Sequence, residues 1–75
     1  MNYTIYDYKG YRVEIDPLSG DERSGYEIEW RVRHMLDRSL IVGQGVFPRR
    51  LLPPEAAIQL GMRQAEGCVD HHLKQ

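Results

Sequence analysis

Tyr26-Glu27-Ile28-Glu29-Trp30-Arg31-Val32-Arg33 decides how this chain folds. Side chains of an extended strand alternate between two faces, so Tyr26, Ile28, Trp30 and Val32 share one side and Glu27, Glu29, Arg31 and Arg33 the other. One face is core and the other is wet, the pattern of an antiparallel sheet covered on one side only. Upstream, Tyr3 and Ile5, then Tyr11, Val13 and Ile15, alternate with polar residues in the same way. Lys9-Gly10 interrupts them, which suits either a tight turn or a bend within one long strand. Asp16-Pro17-Leu18-Ser19-Gly20 breaks the alternation and predicts a loop running to Ser24-Gly25. Downstream, Leu36-Asp37-Arg38-Ser39 reads as a turn. Leu40 to Phe47 follows as a strand whose Gly43 and Gly45 suit a bulge or a close backbone approach.

Beyond Pro48 the period changes. Pro53-Pro54-Glu55 has the marks of a helix start, with proline in the first turn and an acid against the helix dipole. Ile58, Met62, Ala65 and Val69 recur at helical spacing, flanked by Ala57, Gly61 and Cys68, while Gln59, Arg63, Glu66 and Asp70 are expected to face away. The expected fold is α+β, a two-layer domain with a three-stranded antiparallel sheet (strands about 3–15, 26–35 and 40–47) packed against one C-terminal helix (about 54–72).

The composition bounds the rest. Seventy-five residues make one domain, able to bury a little over about 60% of the surface of its unfolded chain. Hydrophobic residues make up 41% and charged residues 28%, which excludes disordered and fibrous classes. Ten Lys and Arg against eleven Asp and Glu leave a net charge of -1, so no general basicity marks a nucleic-acid or membrane partner. The charge is nonetheless segregated along the chain: Asp7 to Glu29 sums to -4 and Trp30 to Arg50 to +4. Cys68 is the single cysteine and has no intramolecular partner, which with the lack of an apolar leader or span makes a cytoplasmic location the expectation.

Tyr8-Lys9-Gly10-Tyr11-Arg12-Val13, Tyr26 to Val32 with its Trp30, and Pro54-Glu55-Ala56-Ala57 leading through Gly61 to Val69-Asp70 together resemble a family of small uncharacterised proteobacterial proteins. The resemblance implies a strand-strand-strand-helix domain with no assigned activity. In the order of its elements the chain is also similar to the ethylene-response type of DNA-binding domain, which reads a groove with arginines and tryptophans on its sheet and would use Arg12, Arg31 and Arg33. A further similarity is to the HicB-type antitoxin domain, which has the same order and an acidic helix start.

Five arginines carry the strongest functional signal. Arg31, Arg33, Arg38, Arg49 and Arg50 fall within twenty residues, and guanidinium groups at one sheet edge suit phosphates. Cross-strand pairing of Arg31 and Arg33 with Glu14, Glu27 or Glu29 accounts for the first two equally simply and is preferred. Trp30 and Tyr26 are expected in the core. Tyr6 and Tyr8, of opposite parity to Tyr3 and Ile5, are expected to be exposed and to meet a partner or a second copy. Cys68, His71 and His72 are close on a helix, but two imidazoles and one thiol fall short of a closed metal site, so no metal or other cofactor is expected. Gly43-Gln44-Gly45 is not followed by a helix and fits no phosphate loop. No catalytic set emerges, and the chain reads as a non-enzymatic binding module, monomeric or homodimeric. Its partner, outside the membrane, is a protein or a nucleic acid met through Arg31, Arg33, Arg38, Arg49, Arg50, Tyr6 and Tyr8.

Overall fold

Lys9-Gly10 turns the chain sharply back on itself. In the computed structural model φ is +50° at Lys9 and +83° at Gly10, the two consecutive left-handed residues of a type I′ hairpin turn. Tyr8 and Tyr11 are therefore direct cross-strand partners. The stretch expected as one first strand is two, β1 (Thr4–Tyr8) and β2 (Tyr11–Asp21), and with β3 (Gly25–His34) and β4 (Ile41–Arg50) they build a four-stranded rather than a three-stranded sheet. Its order is β1-β2-β3-β4, every neighbouring pair antiparallel. The structure describes residues 3–21, 23, 25–37, 39–50 and 53–74, with the side chains of 18, 19, 21, 47–50 and 54 outside that description.

The loop expected over Asp16 to Gly20 is strand. Pro17 lies where the β2–β3 register slips between Pro17 and Ser19, and a slip of this kind tolerates a residue that has no N–H to give the ladder. β4 likewise runs past Pro48, which an edge strand accommodates.

The helix α1 (Pro54–Leu73) starts as expected, with Pro54 in its first turn and the Ala57 amide donating to the Pro53 carbonyl at 3.0 Å. It lies across β2, β3 and β4. Val13, Ile15, Ile28 and Val32 from the sheet are buried against Ala57, Ala65 and Val69, and Tyr11 closes one end of this core. The innermost line of the helix is Ala57, Gly61, Ala65 and Val69, with Ile58 and Met62 packed only partly buried beside it. Small residues at its centre let the helix backbone approach the sheet closely: a Cβ on Gly61 would stand 3.1 Å from Ile28 Cγ2. β4 is built the same way. A Cβ on Gly45 would stand 2.8 Å from the Trp30 indole, and one on Gly43 would overlap Cys68 Sγ.

Candidate functional site

One face of the sheet carries the helix, and the other has no covering layer among the described residues. The register places three rows of side chains across that open face. Asp7, Arg12, Arg33 and Ile41 form the first; Ile5, Glu14, Arg31 and Gln44 the second; Asp16, Glu29 and Val46 the third. Tyr3, just before β1, reaches the same face and accepts a hydrogen bond from Arg31 Nη2 at 3.3 Å. The middle of the face is charged and its flanks are apolar: Tyr3 and Ile5 on the β1 side are 46% and 48% exposed, Ile41 and Val46 on β4 39% and 55%.

Glu14 is the centre of the charged part. Its carboxylate accepts hydrogen bonds from Arg31 Nε at 3.1 Å and from Arg33 Nε at 3.0 Å. Arg31 also donates through Nη1 to Glu29 and lies 3.7 Å from Asp16. Although it stands on an uncovered face, Glu14 is only 7% exposed, because its neighbours close over it. Burial pushes the Glu14 carboxyl up, but the hydrogen bonds and charges of Arg33 and Arg31 outweigh burial and hold it below the ordinary carboxylate range. The -4 and +4 segments thus do not become two poles: β2 and β3 interleave them, and acid meets base across the strands. Arg12, between Asp7 and Arg33, is less well served, and its Nε is buried with no hydrogen-bond partner.

Of the seven residues singled out in the sequence, Arg31 and Arg33 share this network, and their guanidinium groups are occupied by carboxylates rather than open to phosphate. Arg38 lies outside the described residues. Arg49 and Arg50 belong to β4, with side chains outside the description. Tyr6 and Tyr8 are not the exposed aromatics expected. Because Tyr8 opposes Tyr11 across a two-residue turn, both tyrosines face the helix, and it is Tyr3 and Ile5 that stand outside. Tyr6 donates to Glu66 Oε2 at 2.6 Å, Tyr8 to the Asp70 carboxylate at 3.1 Å, and Lys9 Nζ to Asp70 Oδ1 at 2.8 Å. Glu66 and Asp70 therefore dock the helix on β1 instead of facing away. Burial, then the Glu66 hydrogen bond and charge, raise the Tyr6 hydroxyl pKa, while Lys9 and Tyr8 hold Asp70 low. Glu14 was named in the sequence as one of three acids that Arg31 and Arg33 could pair with, and the structure selects it for both; Asp16, Ile41 and Val46 were not singled out. The signal that finds them is the parity of β2 and β4 against the strand of Trp30, once the register is known.

The helix end holds no ligand set. Cys68 lies against Gly43, whereas His72 and His34 each meet the Tyr11 ring edge to face, at 5.7 and 5.6 Å between ring centroids. No group of three or more His, Cys, Asp or Glu placed to hold a metal occurs among the described residues, and no helix there is long and apolar enough to cross a membrane. A cavity of about 370 Å³ opens on α1 against Ala56, Gln59, Leu60 and Arg63, a lining with one charged group. Comparison with protein-family models, curated proteins and solved structures finds no match for this chain.

Proposed function

We propose that this protein is a non-catalytic interaction module whose contact surface is the open face of the sheet. One observation carries the reading: a four-stranded sheet is covered by helix on one side, while its other side shows Tyr3, Ile5, Ile41 and Val46 around a charge network that neutralises itself. Apolar flanks favour contact with another protein surface, and charges already fixed by their neighbours supply orientation at small entropic cost. A nucleic-acid partner has weaker support, because Arg31 and Arg33 are committed to carboxylates and that reading falls back on Arg38, Arg49 and Arg50.

Photo-crosslinking residues introduced singly at Val46, on the open face, and at Gln59, on the exposed side of the helix, test this in the native host. Protein adducts from position 46 and none from 59 are expected. Equal yields from both positions, or adducts to nucleic acid, would overturn the proposal.

A further inference from the structure

Resting on that reading, we infer that the protein which covers the open face is a second copy of this chain, stacked sheet on sheet about a twofold axis that runs in the plane of the interface, perpendicular to the strands. Such an axis lays each strand on its own counterpart with direction reversed. The first row then faces the third row of the second copy. In the outer rows Arg12 of β2 meets Asp16 of the second copy, Arg33 of β3 meets Glu29, Ile41 of β4 meets Val46, and on the β1 side Asp7 meets the hydroxyl-bearing side chain of Tyr3. Each contact occurs twice by symmetry, as an isologous interface requires. The middle row lies on the axis, where Ile5 meets Ile5, Glu14 meets Glu14 and Arg31 meets Arg31; these two like-charge contacts are offset within each chain, where Arg31 and Arg33 hold Glu14 and Glu29 holds Arg31.

The alternative twofold, parallel to the strands, pairs Glu14 with Arg31 but sets Ile41 over Asp7, Arg12 over Arg33 and Asp16 over Glu29, so its mismatches of polarity and sign outnumber its matches. Sheets stacked in this manner cross at about 30°. The outer rows lie roughly 7 Å from the axis, so that rotation displaces them by about 3.5 Å, more than half the spacing of about 4.8 Å between strands. Each outer residue therefore lies between its counterpart and the adjacent strand, an offset that the long side chains of Arg12 and Arg33 span to reach their carboxylates.

The size is small. Centred on the middle row, the twofold overlaps residues 28–34 of β3 and the matching parts of its neighbours, about 23 Å by about 19 Å, or roughly 400 to 450 Å² per copy. Two such faces bury about 900 Å² in all, the size of a weak interface with an affinity no tighter than micromolar.

The test is sedimentation equilibrium of the purified chain at about 100 μM, above that affinity, with circular dichroism to confirm folding of each variant. Wild type is expected near twice its 8.8 kDa. Val46→Glu and Ile41→Lys alter exposed edge-strand positions outside the ion-pair network, and each alone is expected to sediment as a monomer. Their equimolar mixture is expected to recover the dimer mass, because the introduced Lys of one copy faces the introduced Glu of the other, while the remaining Ile41 and Val46 still meet. A monomeric wild type, a dimer that Val46→Glu leaves intact, or a mixture that stays monomeric would each overturn the inference. In the first case, position-46 adducts to a different protein would still uphold the interaction module, so the two proposals fail separately.

Discussion

At the scale of single residues, glycines and one indole set the shape of the β4 side. Trp30 pairs with Gly45 across β3 and β4, and its ring lies where a Cβ on Gly45 would stand 2.8 Å away. The atoms in the way belong to a rigid bicyclic ring, which cannot give as the end of a flexible chain can. Gly45→Ala should therefore displace the indole and lower stability by about 1–3 kcal/mol, as overpacking does. Gly43→Ala overlaps only the Cys68 thiol, which rotates about one bond, and reaches the Trp30 ring at an ordinary contact distance of 3.6 Å, so it should cost less. Urea denaturation measures both. Because Trp30 is the only tryptophan, its emission should shift to the red in the Gly45 variant alone. An unchanged emission maximum together with wild-type stability would contradict the slot described for the indole.

At the scale of elements, β1 is attached to the rest of the molecule in two ways: by its ladder to β2 and by the tyrosine hydroxyls that reach Glu66 and Asp70 on α1. The bond from Tyr6 to Glu66, 2.6 Å against 3.1 Å for Tyr8 to Asp70, is the shorter and so the stronger of these tethers. A double-mutant cycle with Tyr6→Phe and Glu66→Gln should return a coupling of about 1 kcal/mol, a charge-assisted bond discounted for partial exposure. Amide exchange across β1 should quicken in both single variants while the β2–β3 ladder keeps its protection. Zero coupling would mean that the Tyr6–Glu66 bond does not hold β1, leaving its ladder and the Tyr8–Asp70 contact to do so.

This tether was hidden in the sequence for a physical reason. Tyr3 and Ile5 on one side of β1 are as apolar as Tyr6 and Tyr8 on the other, so alternation cannot say which pair turns inward. Only a two-residue turn, rather than a bend, makes Tyr8 the partner of Tyr11, and Lys9-Gly10 permits both. By contrast, β3 was legible residue by residue, because its two faces differ completely in polarity. The helix was legible in its bounds and slightly misplaced in its centre. Large side chains dominate a periodicity, yet Ala57, Gly61 and Ala65 hold the innermost line because a close approach to the sheet needs small residues.

At the scale of the whole molecule, opposite charges separated in the chain become neighbours in space, and this ties stability to pH. Arg31 and Arg33 were recognised in the sequence as functional or paired, and the pairing with Glu14 follows from the β2–β3 register; the open face they lie on was legible in the alternation of β3, and the fourth strand and the turn were needed only to place Tyr3 and Ile5 on it. Glu14 has a folded-state pKa below its unfolded value of about 4.3. A group depressed in this way contributes stability that is fully present above the unfolded value and is lost as pH falls through the folded one. Glu14→Gln should thus be less stable than wild type by about 2 kcal/mol at pH 7, since two part-buried guanidinium groups lose their counter-charge. The gap should begin to narrow as pH falls below the unfolded value and should close once Glu14 has taken up its proton in the folded wild type as well. Urea midpoints measured from pH 7 to pH 2.5 trace both curves. Asp70, also held low but exposed beside Lys9, should add little to the slope, and its part should fade in high salt, as exposed pairs do. A gap between Glu14→Gln and wild type that stayed constant across this range would show that Glu14 contributes by packing rather than by charge, and the network would not be the electrostatic centre of the sheet.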